Sequence, residues 1–368
     1  MMGKVIRIPI DASDFLLAPY VWKHSGKGST ARIEAAMPGA YVSAVFNNAM
    51  DIRLILSGEA NSGCPASAMP MIDFSVDFGP FVAHQLSHAG HEYVLPLCDG
   101  EDAPALHRID VYFRSARLSK ERWDSSTYNL RIAGFDVNDG ASTIPAPRRP
   151  KTAIGFGDSI TEGVYSDHVR REENDAYYTR LEHNNARTTW FPLVCSALGC
   201  EYGQLGSGGQ GMLIRHLQMP PLTDTWDKYG KDDSRLVGAK LLPEPDYIFC
   251  AMGTNDAVAD SGPSGKRDLV DAYLGWLVSV RRACPASRVF CIVPPLGLLA
   301  EEVARVVSIA NERGDRKVHL IDTAPLRHLF KVNVATQAAC DGVHPHGYGN
   351  ALLGAFIAAE AEKAIGRV

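Results

Sequence analysis

The stretch from Ala141 to Pro150 divides the chain into two segments of different hydrophobic period. Pro145, Pro147 and Pro150 fall within six positions, which stiffens the connector and excludes a helix. Before it, apolar residues recur with period two. Ile72, Phe74 and Val76 alternate with Asp73, Ser75 and Asp77, and Ile109, Val111 and Phe113 with Asp110, Tyr112 and Arg114. Val42, Ala44 and Phe46 share a face, as do Ile52, Leu54 and Leu56. Such alternation predicts strands with one buried and one wet face. Pro38-Gly39, Asn47-Asn48 and Asn61-Ser62-Gly63 supply breaks, so residues 1–147 are expected to form an all-β sandwich.

From residue 148 to 368 the pattern is different. Apolar runs at Ala153–Phe156, Tyr247–Met252, Val289–Val293 and Val318–Ile321, with a weaker one at Glu201–Leu205, predict buried strands. Amphipathic segments near 188–198, 267–283 and 300–312 predict helices between them. Leu352, Leu353, Phe356, Ile357 and Ala361 predict a last helix. Strands alternating with helices imply a parallel sheet covered on both faces.

Four short segments carry candidate chemistry. Gly157-Asp158-Ser159 ends the first strand, where open α/β sheets place their ligands. Ser159 there is either a helix cap or a nucleophile. Gln204-Leu205-Gly206-Ser207-Gly208-Gly209-Gln210-Gly211 follows the weak strand and precedes a helical Met212–Leu217. It lacks a Gly-Lys-Ser/Thr ending, so it is a poor phosphate loop, but its backbone N–H groups could meet an oxyanion. Asn255, in Met252-Gly253-Thr254-Asn255-Asp256, is an Asx-turn residue or an amide donor. Asp341 and His344 stand three residues apart, so one loop can deliver a base and the carboxylate that orients it.

Composition narrows the classes. Charged residues make up 21% and the net charge is −5. Arg148-Arg149 beside Lys151 is too short a basic block to suggest nucleic acid. No apolar run approaches the roughly 20 residues of a membrane span. The eight cysteines show no metal-ligand spacing and read as buried thiols. His84, His88 and His91 could share a helical face, but Gly90 interrupts the segment and a surface loop is the plainer reading. The N-terminus is not a secretory signal, and a cytoplasmic protein is expected.

In this order the four segments resemble the blocks of the SGNH (GDSL-type) hydrolases, from about Lys151 to the C-terminus. The resemblance implies a flavodoxin-like three-layer α/β/α fold. It also implies roles. Ser159 is the nucleophile and its N–H an oxyanion donor; Gly209 N–H and the Asn255 amide are further donors; His344 is the base, oriented by Asp341. Gly206 or Gly208 could be aligned in place of Gly209, which keeps the usual distance from the strand end. The block opens with Gln204 where the family often has asparagine. A β-sandwich, a Pro-rich joint and Arg131-Ile132-Ala133-Gly134-Phe135 ahead of it resemble the family-2 carbohydrate esterases, with a jelly-roll domain before a catalytic domain that removes acetyl groups from sugars.

The resemblance therefore implies a serine esterase acting through an acyl-enzyme on a small or oligosaccharide ester, without metal or organic cofactor. His344 must be neutral to act, so activity is expected to fall below about pH 6–7. Two other readings stand beside this one. A lipid esterase or thioesterase would need a long apolar channel, whereas the insertion 161–187 is rich in tyrosine and charge. A non-catalytic carbohydrate-binding protein would leave the four blocks without use. Residues 1–147 are expected to pack beside the cleft or mediate self-association.

Overall fold

The computed structural model describes residues 4–87, 93–98, 103–168, 181–213, 219–259, 263–331 and 334–366. The period-two segments form two antiparallel sheets of six strands each. One is centred on Leu130–Asn138, flanked by Arg32–Ala35 and Ile52–Leu56; the other on Ala105–Ser115, between Tyr41–Ala49 and Met71–Val76. Their inner faces meet at Phe46 and Phe135, whose ring centroids lie 5.2 Å apart. The last strand of the sandwich, Ser142–Ile144, pairs with Tyr41–Ala49.

The parallel sheet begins directly after the Pro-rich connector. Its strands are β1 (Lys151–Gly157), β2 (Cys200–Gly206), β3 (Tyr247–Ala251), β4 (Arg288–Ile292) and β5 (Val318–Ile321), in the order β2-β1-β3-β4-β5. This is the flavodoxin-like strand order. Helices Trp190–Ala197 and Gly347–Ile365 pack together, and Pro263–Ala283 packs with Ala300–Glu312. Side chains alternate across the sheet. Phe156 turns to Trp276 on one face, while Phe249 meets Phe191 on the other, each at 5.8 Å between ring centroids. Gly155 leaves room for Phe191, because a Cβ there would stand 2.7 Å from its ring.

The expected wet face of the Met71–Val76 and Ala105–Ser115 strands is corrected by the structure. Asp73, Ser75, Asp110 and Arg114 are all buried. The α/β domain covers part of that face: Arg114 Nη1 donates to Asp73 at 3.0 Å and its Nη2 to Asp167 at 2.6 Å. Asp73 also accepts from Asn185 and Arg187. Elsewhere the Tyr20 hydroxyl donates to Thr152 at 2.9 Å, and Tyr41 donates to Glu201. Period two reads which residues share a face; it does not read what later chain will cover that face. All eight cysteines are buried. His84 lies on the strand Val82–Gln85, while His88 and His91 fall outside the described residues.

Candidate active site

Strand β1 delivers Ser159. Its chain turns at Gly157, where a Cβ would stand 2.0 Å from Thr161 Oγ1. Asp158 then caps the short helix Ser159–Glu162, its Oδ1 accepting the Ile160 N–H at 2.9 Å. Burial raises the Asp158 carboxyl pKa, against the Ile160 hydrogen bond, which lowers it. The Ser159 N–H, at the first turn of this helix, has no intrahelical acceptor.

His344 reaches Ser159 from the loop before the last helix. His344 Nε2 lies 2.8 Å from Ser159 Oγ, and Nδ1 lies 2.7 Å from Asp341 Oδ2. Asp341 Oδ1 accepts the N–H groups of Val343 and His344 at 2.9 and 2.8 Å. Burial would raise the Asp341 pKa, but the hydrogen bond and charge of His344 with these two amides hold it well below the usual carboxylate range. Ser159, Asp341 and His344 are 7%, 3% and 2% exposed, so the pair and its nucleophile work in a water-poor setting. Asn350 of the last helix fixes the loop, donating to Pro345 O at 2.7 Å while accepting the Trp190 N–H. The Tyr165 ring stands edge-on to the imidazole at 5.9 Å.

The glycine block after β2 can be read amide by amide. Gly206 is the last residue of the strand. The Ser207 N–H donates to Gly157 O at 3.0 Å, Gly208 N–H to Glu162 Oε2, and Gln210 N–H to Ser207 O at 3.1 Å. Among the described residues no acceptor takes the Gly209 N–H. Gly209 has φ +75°, a left-handed conformation that favours glycine. Of the three glycines that could be aligned, Gly208 is thus already engaged, and the N–H of Gly209 remains available. Met212 and Leu213 are not helical, contrary to the sequence reading, and 214–217 lie outside the described residues. Asp256 explains Met212 and Leu213: its carboxylate accepts both their N–H groups, at 2.8 and 2.9 Å, holding the chain in a bend.

Asn255 opens the short helix Thr254–Ala259 after β3. It is half-buried, and its Nδ2 donates to Gln210 O at 2.9 Å. One amide hydrogen is thereby anchored to the glycine block and the second is left to meet a ligand. The arrangement contains a serine hydroxyl beside an oriented imidazole, with unspent N–H donors at Ser159, Gly209 and Asn255. That set can perform acyl transfer. The sequence reading missed Arg122, Glu162 and Asp256 as supports. Asp256 directly follows Asn255 and Glu162 lies three residues past Ser159, whereas nothing local marks Arg122. Tyr177 and Tyr178 of the 161–187 insertion lie outside the described residues.

A five-stranded sheet in this order, bearing Ser159 and Asn255 just past its strand ends and preceded by a β-sandwich, defines an SGNH-type fold with a β-rich N-terminal domain. Solved structures share it across the chain. A family two carbohydrate esterase from Cellvibrio japonicus matches at TM-score 0.77 and 16% identity, over 99% of this chain and 98% of that one. A family two carbohydrate esterase from Clostridium thermocellum, solved with cellohexaose, matches at 0.74 and 18%, over 96% and 100%. The acetyl xylan esterase Est2A from Butyrivibrio proteoclasticus matches at 0.73 and 14%, over 100% and 99%. By sequence, the chain is 26% identical over 217 residues to cellulase/esterase CelE of Acetivibrio thermocellus. It covers a quarter of that relative's length, and the match takes in 55% of this chain. No protein-family model matches.

Proposed function

We propose that the protein is a serine esterase that removes acetyl groups from a carbohydrate, through an acyl-enzyme on Ser159. The observation that carries this reading is the buried Ser159–His344–Asp341 chain, with contacts of 2.8 and 2.7 Å. His344 Nε2 takes the Ser159 proton as Oγ attacks the ester carbonyl. The N–H groups of Ser159 and Gly209 and the free Asn255 amide hydrogen receive the developing oxyanion. His344 returns the proton to the departing sugar oxygen, leaving an acetyl ester on Ser159. Water, deprotonated by His344, then releases acetate. Asp341 stays ionised and stabilises the imidazolium formed in both steps.

The carbohydrate part of the proposal rests on the whole-length likeness to carbohydrate esterases, one of them solved with cellohexaose and one an acetyl xylan esterase. An oligosaccharide ester is the substrate class these neighbours support. The test is hydrolysis of p-nitrophenyl esters from acetate to palmitate, followed by acetate release from acetylated xylo- and cello-oligosaccharides. Activity confined to short acyl groups, with acetate released from a sugar, is expected. A preference for long chains would remove the carbohydrate and leave a serine esterase.

A further inference from the structure

The N-terminal domain reaches toward the glycine block with a buried cation, Arg122. Arg122 lies in the short helix Glu121–Asp124, between two strands of the sandwich, and is fully buried. Its Nη1 lies 2.7 Å from Glu162 Oε1. The other oxygen of that carboxylate accepts the Gly208 N–H. Glu162 is itself 4% exposed and ends the helix that Ser159 begins. One carboxylate therefore joins three things: the nucleophile's helix, the glycine block and a cation from the other domain. The same region of the N-terminal domain makes two further contacts. Trp123 O accepts the Lys231 N–H at 3.2 Å, and a Cβ on Gly208 would stand 2.9 Å from Leu118 Cδ1.

A fully buried ion pair is an expensive way to join two domains, because both charges are desolvated and a well-packed apolar pair is often at least as stable. What the pair provides is direction. With Oε1 held by Arg122, Oε2 is aimed at the Gly208 N–H, and the Ser207–Gly208 peptide plane ahead of Gly209 is fixed. Resting on the esterase reading above, we infer that Arg122 is a positioning residue for the oxyanion hole: it holds Glu162 so that Glu162 holds the Gly208–Gly209 turn. The sandwich is then a working part of the active site as well as a neighbour of it. Without Arg122, Glu162 is a buried carboxylate that has lost this cation, and the turn loses its fixed anchor.

The experiment uses the full chain and p-nitrophenyl acetate. Wild type and Ser159→Ala are measured first; if the wild type does not turn over, or Ser159→Ala matches it, the esterase reading fails and not this one. Arg122→Met is then expected to lower kcat by about 10- to 100-fold, the scale of a displaced catalytic group, with KM within about threefold. The double variant Arg122→Met/Glu162→Gln removes the stranded charge, and the carbonyl oxygen of the new amide can still accept the Gly208 N–H. It is expected to recover most of the lost kcat. A purely structural pair predicts a lower unfolding temperature with kcat unchanged well below it, and that result overturns the inference. So does a loss carried by KM, or a double variant as slow as Arg122→Met. Should Arg122→Met not fold, Arg122→Lys decides: a kcat loss at unchanged KM supports the role, and wild-type kcat refutes it.

Discussion

Replacing Asn255 by alanine removes two amide hydrogens, one bonded within the protein and one proposed to act in catalysis. One donates to Gln210 O at 2.9 Å. Losing that neutral hydrogen bond costs about 1 kcal/mol of stability, a fall of a few degrees at most in a protein of this size. The other hydrogen is proposed to meet the oxyanion. Losing one such donor costs roughly 3 kcal/mol in the transition state, or about 150-fold in rate. The donor acts on charge that exists only in the transition state, so kcat carries the loss and KM stays nearly constant. Steady-state kinetics on p-nitrophenyl acetate, with a thermal melt on the same preparation, checks both figures. A folded Asn255→Ala protein with kcat within about threefold of wild type would remove Asn255 from the oxyanion hole, and a loss seen only in KM would reassign it to substrate binding.

Other substitutions test the supports. Asp341→Asn takes away the acceptor that fixes the His344 tautomer, and kcat is expected to fall by about 10³-fold or more. Because the folded Asp341 pKa is depressed, its stabilising contribution is present above the unfolded value of about 3.9 and is lost as pH falls through the folded pKa; the stability gap between wild type and Asp341→Asn should close in acid urea titrations. Asp158 is the opposite case. Its folded pKa is raised by burial, so its ionisation opposes folding, and stability is lost as pH rises from the unfolded pKa to the folded one. Asp158→Asn can keep the cap on the Ile160 N–H, so its stability relative to wild type should be greatest at neutral pH and the difference should shrink on acidification. Gly342→Ala places a Cβ 1.7 Å from Lys331 O at φ +78°. Strain of about 1–3 kcal/mol from the backbone alone should lower the urea midpoint and, by shifting the His344 loop, kcat as well.

The alternation of Ile109, Val111 and Phe113 with polar residues marked a strand, and the runs at Ala153, Tyr247, Val289 and Val318 marked the parallel sheet, because period and apolar run length are local properties. The weak strand at 201–205 is real and spans Cys200–Gly206; it is buried along its length, and Tyr41 of the sandwich covers part of it, bonded to Glu201 and to the Tyr202 N–H, which no local pattern shows. Asp73 and Arg114 read as wet because their partners Asp167, Asn185 and Arg187 lie 53 to 114 residues away, in a segment with no periodicity. The motifs singled out Ser159, Asn255, Asp341 and His344. They left the glycine open, since spacing alone does not say which amide is already bonded. Arg122 was invisible for a similar reason: its meaning depends on Glu162, far along the chain and in the other domain.

In the proposed mechanism Ser159 Oγ becomes covalently acylated. Intact-protein and peptide mass spectrometry after reaction with a fluorophosphonate tests it most directly, on a preparation that hydrolyses p-nitrophenyl acetate. One adduct per chain is predicted, on the peptide containing Ser159, with activity lost in proportion to labelling and no adduct in Ser159→Ala. An active preparation labelled at another residue, or one in which Ser159→Ala is labelled and inhibited like wild type, would contradict it.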